Sequence, residues 1–438
     1  MRKGGSRKLS ALTLLATTYC IVAGGPYGLE DIVQMSGYTG ALVILLVTPL
    51  IWSIPTGLMV SELASALPQE GGYYIWVRRA MGRFWGFQEA WLSLIGSMFD
   101  MAIYPTLFSW YLARLWPSLG VGHLPIVLGT GMISVCVGWN LFSARIVGRW
   151  SLLFTALVLS PFVAIVAFGL ARAGTHSAAT AGLGHLDLMG GIMVAMWNYM
   201  GWDNMSTVAG EVENPRKTYP LTMFWAVPIV TLTYVIPVWT MSMAGIDVRI
   251  WGTGGWVDIG RVLGGTTLAT CMMLAGAIAN VSTFNALVLS LTRLPVVMAS
   301  DGYLPRFFTY RNPRTMVPVV SLIVCAITWA ACQGLGFVKV VIFDVLLSGL
   351  SVLLEFFALI VLRIREPGLK RPFRIPGGIW GTVVITLGPF ALIVLSIWRT
   401  AEEEVASMNG LVICAGLLAF GCVLYWTGSR RNEGRRSS

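Results

Sequence analysis

Ala23-Gly24-Gly25-Pro26-Tyr27-Gly28 interrupts an apolar run over 9–36, and Asn198-Tyr199-Met200-Gly201-Trp202-Asp203-Asn204 interrupts another over 188–212. Either run is long enough to cross a hydrocarbon core of roughly 30 Å, which takes about 20 mostly apolar residues. Gly and Pro weaken the helical ladder, and unwound backbone at membrane depth survives only inside protein or beside an aqueous cavity. A kink accounts for one such break; two of them, in the first and sixth runs, say more.

Working outward, ten further runs of the same kind are found at 39–66, 84–113, 124–142, 146–170, 219–244, 264–292, 317–335, 339–362, 376–398 and 405–427, with mostly short loops between them. The chain of 438 residues is 56% hydrophobic and 11% charged, with a mean hydropathy of +0.74. Soluble globular proteins carry roughly 25% charged residues. A water-soluble enzyme, a disordered chain and a nucleic-acid binder are therefore excluded, in spite of a net charge of +10. The expected fold is all-α: one polytopic membrane domain over 1–438 with twelve transmembrane helices. The basic run before the first helix resembles a signal peptide, but the apolar stretch continues beyond 20 residues, which favours a retained helix.

Lys and Arg stay on the cytoplasmic side of a membrane. With the N-terminus inside, 24 of the 30 basic residues fall in inner segments and 6 in outer ones. This predicts cytoplasmic termini in a plasma (inner) membrane, and it explains the basic charge by topology alone. Trp85, Trp110, Trp150, Trp398 and Trp426 sit near helix ends, as an interfacial belt requires.

Five helices separate the two breaks, and five is odd, so 9–170 and 188–362 enter the membrane from opposite sides. Interrupted helices at matching positions of inverted halves point to a transporter's binding site. Helices 11 and 12 (376–427) lie outside that repeat.

The seven Cys lie in apolar runs without CxxC or Cys/His spacing, so neither a disulfide framework nor a metal site is indicated. His123, His176 and His185 fall in or beside loops and read as neutral surface residues. No GxxxxGK[ST], HExxH or dinucleotide fingerprint is present. Neither catalysis nor a cofactor is expected, and energy must come from an ion gradient, from exchange or from the substrate's own gradient.

Several stretches together carry a family resemblance. They are Ala23 to Asp31, Glu62-Leu63 through Pro68-Gln69-Glu70-Gly71-Gly72-Tyr73-Tyr74-Ile75-Trp76-Val77, and Trp85-Gly86-Phe87-Gln88-Glu89. Asp100 with Tyr104-Pro105, Trp202-Asp203, Ala209 to Pro215, and Leu354-Glu355-Phe356 complete them. The chain resembles the amino acid–polyamine–organocation superfamily of secondary transporters, nearest to its polyamine:proton symporter and L-type amino acid branch. The resemblance implies a five-plus-five inverted-repeat fold and a substrate site between helices 1, 3, 6, 8 and 10. Some relatives couple through a Lys in helix 5; none of the five Lys here lies in that helix. The polyamine branch tends to carry an acid in helix 8, near what aligns to Ala286, and its absence counts against a polyamine.

In the first break, Gly24, Gly25, Pro26, Tyr27 and Gly28 open a half-helix. Its free backbone N–H groups and positive dipole end suit a substrate carboxylate. The carbonyls ending the first half-helices, near Ala23 and Trp197, suit an ammonium group. Acids at membrane depth are costly and mark function. Asp100, with Tyr104 one turn on, and Asp203 in the second break can bind an amine or carry a proton; Asp203 can equally cap the second half-helix. Glu355 is a further proton or amine candidate. Tyr199 and Trp202 can pack over an amine by cation–π attraction. Glu30 and Asp31 read as helix caps, and Glu62, Glu89 and Glu211 as gating or ion-pair partners of loop arginines.

The sequence thus predicts a permease for amino acids or polyamines, working by alternating access and coupled to protons through Asp203 or Glu355. Sodium coupling through Ser282 and Thr283, as in an exchanger of neutral amino acids, is the alternative. A non-transporting receptor on the same fold is a third reading. At this stage amino acids and polyamines carry equal weight.

Overall fold

The computed structural model describes residues 10–69, 71–142, 147–174, 186–313 and 315–436. The segments holding His176 and His185, and the basic residues before position 9, lie outside them.

Helix α1 (Ala11–Val22) starts at Ser10, whose side chain accepts from the Thr13 N–H. It ends at the Gly24-Gly25 break, and the chain resumes as α2 (Glu30–Thr48). The boundary expected between residues 36 and 39 is a sharp kink at Gly37 (φ 66°) inside α2. A π-helical turn at Pro49–Ser53 leads into α3 (Ile54–Ala66). Then follow α4 (Gly72–Met81), the long α5 (Arg83–Leu115), α6 (Leu124–Phe142) and α7 (Val147–Arg172).

The second break repeats the pattern of the first. Helix α8 (Leu188–Asn198) stops, Gly201 takes φ 91°, and a 3₁₀ segment, Asn204–Glu211, continues. Next come α9 (Pro215–Met243), α10 (Trp256–Leu291, bent at Gly264-Gly265), α11 (Arg293–Ser300) and α12 (Val319–Cys332). The chain closes with α13 (Phe337–Arg365), α14 (Gly378–Ala401) and α15 (Gly410–Arg436). A two-residue hairpin, Glu404–Val405 with Met408–Asn409, precedes α15. It displaces the expected start of the last helix from 405 to 410, because Ala406 and Ser407 turn with positive φ.

Among the described residues, eight helical spans are long and apolar enough to cross a membrane. Ala11–Val22, Ala156–Arg172, Leu188–Asn198 and Val319–Leu335 are apolar but shorter. Two of these short pieces are the halves of α1 and α8 that end at the breaks. The chain is thus all-α and multi-pass, while the count of twelve crossings remains an expectation.

The outer shell is apolar, as lipid demands: Val43 and Leu50 on α2 and its π turn, Phe224 and Trp239 on α9, and Trp380 and Val384 on α14 are all exposed. Inside, α5 and α13 cross the centre and touch each other along much of their length, with α10 and α4 against α5. α1 packs on α9, and α2 packs on α8. Both breaks therefore face the α5–α13 pair, and this arrangement creates the site.

Candidate substrate site

A cavity opens between the two breaks. It is bounded by Val22, Ala23 and Gly24 from the first and by Trp197, Asn198, Gly201 and Asp203 from the second. α5, α10 and α13 supply the remaining walls.

Asp100 of α5 reaches this cavity, and its Oδ1 accepts from the Trp197 indole N–H at 3.0 Å and the Tyr104 hydroxyl at 3.2 Å. Asp203 lines it too. No backbone N–H of the 3₁₀ segment donates to the Asp203 side chain, so this carboxylate does not cap the second half-helix. Thr283 of α10 lines the wall near Gly24, while Ser282 does not.

A third carboxylate completes the set. Asp344, one turn from Ser348 on α13, lines the cavity, and the Ser348 hydroxyl donates to its Oδ1 at 2.6 Å. Sequence reasoning passed over it, although an Asp inside the apolar run 339–362 is the kind of residue that membrane depth makes expensive. Among the described residues the cavity holds three Asp and no Lys or Arg. An ammonium group is thus the complementary ligand, with the rings of Trp197, Tyr104 and Tyr73 available around it.

Other expected site residues are placed elsewhere. Tyr199 is fully buried and donates its hydroxyl to the Leu45 carbonyl at 2.8 Å. Trp202 is buried, with no partner for its indole N–H among the described residues, and does not reach the cavity. Trp197 takes the position expected of it. Gly24 and Tyr27 line the cavity; Gly25, Pro26 and Gly28 shape the break behind it. Gly28 has φ 85°, and a Cβ there would sit 2.8 Å from the Trp197 ring.

Part of the amide cradle expected at the first break is used internally. Pro26 has no N–H. The Gly28 N–H donates to Glu30 Oε2 at 2.7 Å, and the Tyr111 hydroxyl donates to Glu30 Oε1. The Gly24 N–H turns back to the Tyr19 carbonyl at 3.4 Å. Neither Glu30 nor Asp31 makes a side-chain cap at the start of α2; Asp31 accepts from the Thr253 hydroxyl at 3.1 Å.

Glu62 is the ion-pair partner that the sequence suggests. Arg363 and Arg371 hold it, and the Ile375 N–H donates to it at 2.8 Å. Glu89 is not: both Ser93 and Ser351 donate to it, and no arginine among the described residues reaches it. Glu355 is fully buried behind the cavity wall. The Glu211 side chain lies outside the described residues.

Paired broken helices around an acidic cavity, in an all-helical multi-pass chain, are the architecture of a membrane permease. The chain matches the amino acid permease family over residues 11–420 and belongs to it. It is 33% identical over 422 residues to the polyamine transporter RMV1 of Arabidopsis thaliana, covering 95% of this chain and 85% of that one. It is also 33% identical to the polyamine transporter PUT1 of Oryza sativa subsp. japonica, covering 96% and 78% respectively. The serine/threonine exchanger SteT of Bacillus subtilis (strain 168) is 24% identical, covering 84% of this chain and 85% of that one. Among solved structures, MhsT in complex with L-phenylalanine superposes with a TM-score of 0.60 at 14% identity, over 89% of this chain and 97% of that one. That likeness shows a common fold.

Proposed function

We propose that this permease carries polyamines, by alternating access about the cavity and driven by protons, into a cell whose cytoplasm faces both chain ends. The observation that carries the reading is the lining itself: Asp100, Asp203 and Asp344 without a basic residue among those described. A neutral amino acid would bring its own carboxylate against three others. The backbone N–H of Gly28, which could have received that carboxylate, already holds Glu30. A polyamine brings two or more ammonium groups and no carboxylate. The relatives named as polyamine transporters support the same choice. Asp344 adds a third acid to Asp100 and Asp203, which offsets the missing helix 8 acid.

The repeat 9–170 and 188–362 is supported by packing. α1 against α9 and α8 against α2 are the contacts that an exchange of the two halves would interchange. With no Lys in α7, the proton of a proton-driven cycle falls to a carboxylate, with Asp203 and Glu355 the leading candidates. Sodium coupling retains Thr283 as its foothold, beside the first break.

The test is competition binding on wild type and Asp203→Asn with putrescine and leucine. Losing one partner of a buried charged hydrogen bond costs on the order of 2–5 kcal/mol, so putrescine should bind at least tenfold more weakly to the variant. Putrescine competing equally well against both proteins removes Asp203 as an amine ligand. Leucine binding more tightly than putrescine to wild type restores the amino acid reading. Uptake indifferent to pH and lost without sodium reverses the choice of ion.

A further inference from the structure

The contact between α5 and α13 is a ladder. The Phe99 and Phe343 rings stack at 5.2 Å. Asp100 lies in the field of Asp344. Gly96 faces Ser348 so closely that a Cβ on the glycine would collide with the serine hydroxyl. Ser93 Oγ and Ser351 Oγ are 2.9 Å apart. Glu89 and Glu355 follow, each within electrostatic reach of the other. From Asp100 with Asp344 to Glu89 with Glu355, every step down α5 is matched by an equal step up α13, as in an antiparallel pair.

The two ends of the ladder differ in access. Asp100 and Asp344 line the cavity, whereas Glu89 and Glu355 are fully buried. Glu89 is joined to the cavity through Ser93 and Ser351, which do line it, and Glu355 lies in the field of Glu89 behind them. Among the described residues, both Glu355 oxygens and Glu89 Oε2 are buried without a hydrogen-bond partner. Such atoms in an acidic cluster need an explanation, since buried polar groups are ordinarily satisfied.

Ser93 Oγ, Ser351 Oγ and Glu89 Oε1 form a triangle with edges of 2.9, 2.9 and 3.0 Å. Two hydroxyl protons can fill only two of the three edges. A proton on Glu89 fills the third. The serines are too closely paired to pass an ammonium group, but a hydroxyl can hand its proton to Glu89 while taking one from the cavity side.

We infer that Glu89, reached through Ser93 and Ser351, and its neighbour Glu355 form the proton-carrying site, separate from the three aspartates that hold substrate. This rests on the reading of the cavity as a site for an amine driven by protons. In the uptake step a hydronium ion in the cavity gives one proton to a serine oxygen and is left as water. The serine's own proton moves to Glu89 Oε1, and the carboxylate becomes a neutral acid, so charge and atoms balance. The groups facing the pair are Tyr73 from α4 and Asp203 from the second break. From α3 the nearest charge, Glu62, is consumed by Arg363 and Arg371. On α15 the neighbouring polar groups are Cys422, bonded to Gln88, and Tyr425. No ion pair of a Lys or Arg to Glu89 or Glu355 occurs among the described residues. Asp203 is therefore the group whose charge changes when an amine docks, and it faces both glutamates.

The experiment uses the full chain in liposomes with labelled putrescine, comparing accumulation driven by a pH gradient with gradient-free exchange. Glu89→Gln and Glu355→Gln should each lower driven accumulation at least tenfold, leave exchange and putrescine affinity within about threefold, and flatten the pH profile of exchange. Ser93→Ala combined with Ser351→Ala, which retains both carboxyls, should slow driven uptake in the same way and keeps the test open if a Glu variant fails to assemble. Glu89→Asp should recover part of the coupling. Variants that accumulate like wild type overturn the inference, as does parallel loss of accumulation, exchange and affinity, which would make the glutamates substrate ligands. Wild type that exchanges putrescine without a response to the pH gradient overturns it while leaving the substrate reading intact. Wild type that neither binds nor exchanges putrescine overturns both.

Discussion

At the scale of single residues, the cavity is decided by where three aspartates point. Asp100 and Asp344 come from different helices yet lie in one another's field, and an ammonium group between them pairs with both and offsets one of their two charges. Asp344→Asn preserves the Ser348 hydrogen bond, since Asn Oδ1 accepts as well, and removes only the charge. Putrescine affinity should fall by tenfold or more, on the same 2–5 kcal/mol reasoning, while leucine binding stays constant or improves. Calorimetry on the purified variant checks this, and an unchanged putrescine affinity would remove Asp344 from the site. Asp100 and Asp203 were legible in the sequence because a glycine break or a neighbouring Tyr drew attention to them. Asp344 sits in an unbroken apolar helix beside the more conspicuous Glu355, and only the crossing of α5 with α13 shows that it faces the same space. Tyr199 and Trp202 erred in the other direction. Adjacency to a break says nothing of the side on which a ring emerges, and the ring of Trp197 emerged on the cavity side instead.

At the scale of elements, local chemistry could be read where it had a backbone cause. Glycines predicted both breaks, and the boundary between helices 1 and 2 fell at Gly37 although the helix continues through the kink. Short helices α4 and α11 were not foreseen, because segments of ten and eight residues are too short and too polar to stand out as apolar membrane-spanning runs. α4 is held by a bidentate pair: Arg79 Nε and Nη2 donate to Glu366 at 2.9 and 2.7 Å, tying it to the loop after α13. The Arg79 guanidinium holds the Glu366 carboxyl below its ordinary range. A carboxylate lowered in the folded state contributes stability above its unfolded pKa and loses it as pH falls through the folded one. The pair is partly exposed, so its worth is about 0.2–1 kcal/mol. Glu366→Gln should therefore lower the melting temperature slightly at pH 7, and the gap to wild type should close below about pH 4. A gap that persists unchanged well below pH 4 would assign the loss to packing rather than charge.

At the scale of the whole molecule, the cavity is closed on the face where α5 ends. Arg114 of α5 donates to the Thr253 carbonyl at 3.1 Å and pairs with Asp258 of α10 at 2.9 Å. Arg261 reaches back to the Arg114 carbonyl at 3.1 Å, and the Trp256 indole donates to the Pro26 carbonyl at 2.6 Å, which fastens this cap directly onto the first break. The cavity runs the other way, from Leu107 and Tyr104 towards Tyr73 and Leu291. If the two faces open in turn, this cap is what holds one of them shut. A ligand or mutation shifts such an equilibrium only by its differential effect on the two states. Asp258→Asn removes a contact made only with the cap closed, so it should raise the population opened on that face. The readout is labelling of a cysteine placed at Leu107 by an impermeant maleimide added on the α5-end side, in a background lacking the seven native Cys. Labelling should be several-fold faster in Asp258→Asn than in its parent, and putrescine should change the rate in both. Equal rates, with putrescine without effect, would show that the cap is a fixed part of the scaffold and that this face does not open by its release.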